Sequence, residues 1–117
     1  VWLPYDASIA HAAEYTVGPW QQVGTYVEQH TPARATIVIP NDNTGYRRLP
    51  IMFWAHRDVY DSVATTSAAI CALAARTAAD HSPLYYLTPT SELAHGFPGE
   101  VVGATNGWTL IVPTCAT

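Results

Sequence analysis

The sequence predicts an α+β domain in which an antiparallel sheet carries two helices on one face. Helical patterns begin at Pro19 and Val59, and short apolar runs of strand length alternate with them. Near the end of the chain, Asn106-Gly107 joins two such runs and is the strongest short signal for a β-hairpin. The predicted order is βαββαβ, the split βαβ or ferredoxin-like order, followed by a C-terminal β-hairpin. An α/β sandwich with a different strand order is the alternative.

The first half of the chain supplies one helix and three of these strands. Val1–Tyr5 is predicted as an edge strand, because its proline has no N–H to donate to a neighbour. A helix with apolar residues at positions i, i+3 and i+7 begins at Pro19 and ends near His30. The β-branched run Ala35–Ile39 predicts a buried strand, and the apolar end of Tyr46–Ala55 predicts a central one.

The second half contains the longest predicted helix and the hairpin. This helix spans about Val59–Asp80, with Asp58 as its N-cap. Leu84–Leu87 is the next strand, and Glu100–Ala104 and Trp108–Val112 form the two arms of the hairpin.

Composition indicates a single domain over residues 1–117. No linker divides the chain, and its 49% hydrophobic content is enough for a core without a metal or cofactor, so no metal or cofactor is assigned.

All five cations are arginines and the net charge is −4, which argues against nucleic acid as a partner. No apolar run is long enough for a membrane span. Only 12% of the residues are charged, so few charges repel a protein partner.

The two cysteines, Cys71 and Cys115, predict one disulfide. Cys71 lies in a stripe of small residues on the long helix, which turns its sulfur towards the sheet. The alternative is two free thiols in a reducing compartment. A bridge closes a loop of about 45 residues and contributes roughly 4 kcal/mol in the chain-entropy estimate. Together with the low charge, it predicts a secreted, extracellular protein.

A rim of histidines and carboxylates is the candidate catalytic site. His56, Asp58 and His95 are expected near the N-terminal end of the long helix, where they suit general acid–base chemistry. His81 follows that helix, so it is expected at the opposite end from His56. The alternative is a solvated rim in which Asp58 caps the helix.

Aromatic side chains are the candidate binding surface, because Trp and Tyr are enriched in recognition surfaces. The alternative is that these rings fill the core and pair across strands. The selected residues are Trp2, Trp20, Trp54, Trp108, Tyr85 and Tyr86.

These patterns leave three functions open. The leading hypothesis is a small secreted non-enzymatic binding protein of toxin, effector or inhibitor type. It would act on a protein or cell-envelope partner through an aromatic, weakly charged surface. The first alternative is a small secreted hydrolase that uses the His/Asp rim. The second is a self-assembling subunit of an extracellular filament or shell, so homo- and hetero-oligomers both remain open.

Overall fold

The computed structural model describes residues 19–41, 47–62, 66–93 and 97–115. These residues form three helices and a five-stranded sheet, which confirms the α+β class. The helices are α1 (Trp20–His30), α2 (Arg48–Ala55) and α3 (Ser67–Ala79). The strands are β1 (Thr36–Pro40), β2 (Asp58–Ser62), β3 (Leu84–Pro89), β4 (Gly99–Thr105) and β5 (Trp108–Pro113). A 3-10 turn, Thr90–Glu92, follows β3.

The sheet is mixed, whereas the sequence predicted a purely antiparallel sheet. Its strand order is β2-β1-β3-β5-β4. β1 is parallel to both β2 and β3, because a helix connects each strand to the next and returns the chain to the same end. The other half is antiparallel, and Asn106-Gly107 forms the predicted hairpin turn between β4 and β5. Both turn residues have positive φ, at 50° and 82°, as this type of turn requires.

The predicted strand over Tyr46–Ala55 is wrong over residues 48–55, which form α2. Pro50 is the third helical residue, where a missing N–H costs no helical hydrogen bond. It is buried together with Ile51 and Ala55. The helix ends at His56, whose backbone is left-handed and whose N–H donates to the Met52 carbonyl at 3.1 Å. The run is apolar because α2 packs against both α1 and β2.

The predicted long helix from Val59 to Asp80 is a strand followed by a shorter helix. In β2, Val59 is buried while its neighbours Asp58 and Tyr60 are exposed, which is the alternation of a strand at the sheet's surface. α3 begins eight residues after Val59, where the Thr66 hydroxyl accepts the N–H of Ala69 at 3.3 Å. Asp58 therefore begins a strand and caps no helix.

Helices cover both faces of the sheet, whereas the sequence predicted helices on one face. α1 and α2 cover one face, where Ile37, Ile39 and Leu87 belong to a single core cluster with residues of both helices. α3 lies on the opposite face and buries Ile70 against Tyr86 and other strand residues. β1 contributes to both cores, since its successive side chains point to opposite faces.

The predicted disulfide between Cys71 and Cys115 is confirmed, with 5.5 Å between the two Cα atoms. It links the middle of α3 to the residues that follow β5. α3 correspondingly packs on β3 and β5. On this face, α3 also packs on Val38 of β1, whereas Asp58 and Tyr60 of the edge strand β2 are exposed. None of the described helices has the length and apolar character needed to cross a membrane.

Candidate functional site

A cavity of about 620 Å³ lies where α3 leaves the sheet uncovered. We call it the α3–β2 cavity, because α3 forms one wall and the edge strand β2 forms the other. Its volume falls within the usual range of small-ligand sites. The lining residues are Arg34, Thr36, Val38, Asp58, Tyr60, Leu73, Arg76, Thr77, Asp80, Ser82 and Leu84.

The floor of the cavity is a fixed part of the sheet. Val38 and Leu84 are buried side chains of β1 and β3. The Ser82 hydroxyl donates to the Arg34 carbonyl at 2.5 Å, so the Thr36 hydroxyl, 2.6 Å away, must donate to Ser82. These two hydrogen bonds link the start of β1 to the segment that precedes β3, and they hold the backbone of Arg34 in place.

Charged side chains of both signs surround this floor. Within the described residues, the side chains of Arg34, Arg76, Asp58 and Asp80 make no hydrogen bond or ion pair. Two cations and two anions therefore line one cavity without direct ion pairs among them. Their hydrogen-bonding capacity is left to water or a ligand.

Local periodicity places these groups on the cavity side. Asp58 and Tyr60 share one face of β2, because they lie two residues apart in a strand. On α3, the lining residues are Leu73, Arg76, Thr77 and Asp80. Their i, i+3, i+4, i+7 spacing defines one helical face. That spacing was visible in the sequence, but it predicted a cavity wall only once the strand opposite was known.

Two members of the candidate catalytic trio lie within the described residues, and they line the same depression. His56 and Asp58 line a second, smaller depression of about 240 Å³. The direct partner of His56 is Glu28, with 2.6 Å between Nδ1 and Oε2, and the His56 side chain is 68% exposed. His95 lies outside the described residues. Sequence analysis did not select Glu28, because a helical pattern on α1 alone does not show what faces its last turn.

The expected separation of His56 and His81 is wrong. His56 directly precedes the β2 region and His81 precedes β3, while Asp58 and Leu84 are both register partners of Thr36. Both histidines thus lie at the same end of the parallel strands. The prediction failed because it assumed one unbroken helix between them, whereas α3 spans 13 residues and β2 precedes it.

Arg57 has a structural role that sequence analysis did not assign to it. Its guanidinium donates to the carbonyls of Glu28 and Thr31 at 3.0 Å and to the His56 carbonyl at 3.1 Å. These carbonyls lie at the C-terminal ends of α1 and α2, where they lack helical partners and where a cation is favoured. Arg57 therefore links the C-terminal ends of α1 and α2 through hydrogen bonds.

The selected aromatic residues mostly pack inside the protein. Trp108 and Tyr86 are 6% and 4% exposed, so a role in recognition does not fit their burial. Trp20 packs edge-on against Trp108 with 6.0 Å between ring centroids, and the partly buried Tyr85 packs against the same core. Trp54 is half-buried beside Phe53, and Trp2 lies outside the described residues.

Within the described part of the chain, the large hydrophobic side chain with the most exposed aromatic ring is instead Tyr60, at 54%. It lies on β2, in the wall of the α3–β2 cavity. The sequence did not single it out because the segment was predicted to be helical. The aromatic contribution to a surface site therefore comes from a residue outside the selected set.

Metal binding finds no support in the described residues, where no group of three or more His, Cys, Asp or Glu side chains is arranged to hold an ion.

Comparisons of the chain with known protein families, with curated proteins and with solved structures find no match.

Proposed function

We propose that this chain is an extracellular, non-enzymatic binding protein whose binding site is the α3–β2 cavity. The observation that carries the proposal is the set of four charged side chains, Arg34, Asp58, Arg76 and Asp80, that line one cavity without pairing. The Cys71–Cys115 disulfide supports the extracellular assignment, because such bridges persist in oxidising compartments.

The lining chemistry favours binding over catalysis. Among the described residues, those that line the cavity include no histidine or cysteine. The Thr36 hydroxyl donates to Ser82 and the Ser82 hydroxyl donates to a carbonyl, so neither has a base positioned to activate it. The His56–Glu28 pair lies elsewhere and is not part of the cavity lining. A hydrolase using His56, Asp58 and His95 thus has less support than a binding protein.

A ligand screen by nuclear magnetic resonance tests the proposal. Isotope-labelled protein is mixed with neutral sugars, charged sugars, amino acids and dipeptides. We expect at least one class to shift the backbone amides of Thr36, Tyr60 and Thr77. The variant Thr77→Trp, which places an indole in the cavity, should abolish those shifts. Ala78→Trp is the matched control, because Ala78 is exposed and does not line the cavity. A screen in which no class shifts these amides would contradict the proposal.

A second candidate function, the self-assembling subunit, is favoured by strand β4. β4 is an edge of the sheet, and no described strand pairs with its outer side. Val101 and Val102 are 58% and 37% exposed there. An edge strand that presents apolar side chains and unpaired backbone groups can pair with another chain.

Multi-angle light scattering over a range of protein concentrations tests this second function. We expect concentration-dependent assembly that Val101→Lys abolishes, because charge on an edge strand blocks pairing. Glu100→Lys, which reverses a charge on the same strand without removing an apolar side chain, is the comparison. A monomer at all concentrations would refute assembly through β4 and would leave the cavity proposal intact.

A further inference from the structure

We infer that the α3–β2 cavity binds a neutral saccharide. This inference rests on the proposed function, since it names the ligand class of the same cavity. It is carried by three features of the lining: balanced charge, complementary hydrogen-bonding groups and one exposed aromatic ring.

The charge balance disfavours an ionic ligand. Two arginines, Arg34 and Arg76, and two aspartates, Asp58 and Asp80, line the cavity. A cavity lined by charges of one sign concentrates ligands of the opposite sign, but here the two signs cancel. An anion or a cation would meet as many repelling groups as attracting ones, whereas a neutral molecule meets no net repulsion.

The hydrogen-bonding groups require a ligand that both donates and accepts. Carboxylates accept only and guanidinium groups donate only, while a hydroxyl group does both. Neighbouring hydroxyls of one sugar ring can donate to Asp58 and Asp80 and accept from Arg34 and Arg76. Such bonds to ionised groups are stronger than neutral ones. A small zwitterion has one charge of each sign, so it would leave one arginine and one aspartate without a partner.

The apolar part of the lining suits a sugar ring as well. Tyr60 presents a ring that is 54% exposed in the cavity wall, and Val38 and Leu84 form an apolar floor. A pyranose ring has hydroxyls around its edge and C–H groups on its faces, so it can lie against an aromatic ring while its hydroxyls reach charged groups. The cavity volume, about 620 Å³, suits one or two such rings.

Sugars that share a ring but differ in charge provide the test. The probes are N-acetylglucosamine, glucose and galactose, with glucosamine as a cationic analogue and glucuronate as an anionic one. Each is titrated into labelled protein, and the amides of Thr36, Tyr60 and Thr77 report binding. We expect a neutral sugar to shift these amides in a saturable way and both charged analogues to bind about tenfold more weakly.

Variants that change charge without changing shape complete the test. Asp58→Asn should weaken binding of the neutral sugar about tenfold, since it removes one charged acceptor, and should strengthen binding of glucuronate. Asp61→Asn is the matched control: it lies on the same strand and does not line the cavity, so affinity should not change.

The outcomes separate this inference from the proposed function. If glucosamine or glucuronate shifts the cavity amides and no neutral sugar does, the saccharide inference is overturned and the cavity remains a binding site. If Asp58→Asn and Asp61→Asn weaken sugar binding equally, the sugar does not bind at the cavity and the inference is also overturned. If no probe shifts these amides, both fail.

Discussion

Replacement of Gly24 by alanine tests the packing that holds α1 against α2. A Cβ atom at Gly24 would collide with the Cβ of Trp54 and would lie 3.0 Å from both the Trp54 carbonyl carbon and the Ala55 nitrogen. Two of these atoms are backbone and the third is bonded directly to it. No change of rotamer can therefore relieve the collision, and one helix must shift.

Two opposing terms set the size of the effect. Glycine to alanine inside a helix gains about 1 kcal/mol of intrinsic stability. Overpacking a well-packed contact costs about 1–3 kcal/mol, and a contact with rigid atoms belongs at the upper end of that range. We therefore expect Gly24→Ala to lower the free energy of unfolding by about 1–2 kcal/mol. For a domain of this size, that corresponds to a melting temperature lower by about 4–8 °C.

Urea denaturation at constant temperature measures the effect directly. Gln21→Ala, an exposed change in the same helix, is the control and should leave the midpoint almost unchanged. If Gly24→Ala unfolds at the same or a higher urea concentration than the parent protein, α1 and α2 do not cross as closely as described.

Four further variants test other contacts. Gly103→Ala should cost less than Gly24→Ala by the same assay, because its Cβ would meet the end of a flexible tyrosine side chain. Arg57→Ala should destabilise the protein by about 2 kcal/mol, because helix-terminal carbonyls lose a charged donor; an unchanged urea midpoint would refute this role. Double replacement of Cys71 and Cys115 by serine should cost about 2–4 kcal/mol, and equal melting temperatures with and without reductant would contradict it. Burial, opposed by a hydrogen bond with a threonine and aided by a nearby carboxylate, raises the pKa of Tyr86. The neutral phenol of Tyr86 therefore contributes fully to stability below pH about 10, and this contribution is lost as pH rises further. Tyr86→Phe should consequently reduce the fall in urea midpoint at alkaline pH.

The sequence by itself determined the features that depend on local chemistry or on the number of residues of one type. Asn106-Gly107 specifies its turn because positive φ is accessible to these residues, and the hairpin forms where predicted. Two cysteines permit a single intramolecular bridge, and Cys71–Cys115 is that bridge. The α+β class follows from helical and strand-like segments in one chain. Each of these conclusions requires no knowledge of what packs against the segment.

The tertiary structure alone decided the state of the segments on either side of His56. A short, continuously apolar run such as Ile51–Ala55 fits a buried strand and a buried helix equally well, since neither periodicity is visible in it. Packing against α1 selects the helix. Asp58–Ser62 instead pairs with β1, and this strand pairing overrides the helical pattern that continues into α3.

The candidate site also depends on tertiary placement. Asp58 and Arg76 lie 18 positions apart in the sequence, and neither is unusual in its own segment. They line one cavity because α3 packs over β3 and β5, where the disulfide joins it to the end of the sheet, and leaves Asp58 and Tyr60 of the edge strand β2 exposed. The residue types were readable from the sequence. Their convergence arises from the position of a helix over a sheet, which long-range packing and a covalent link determine together.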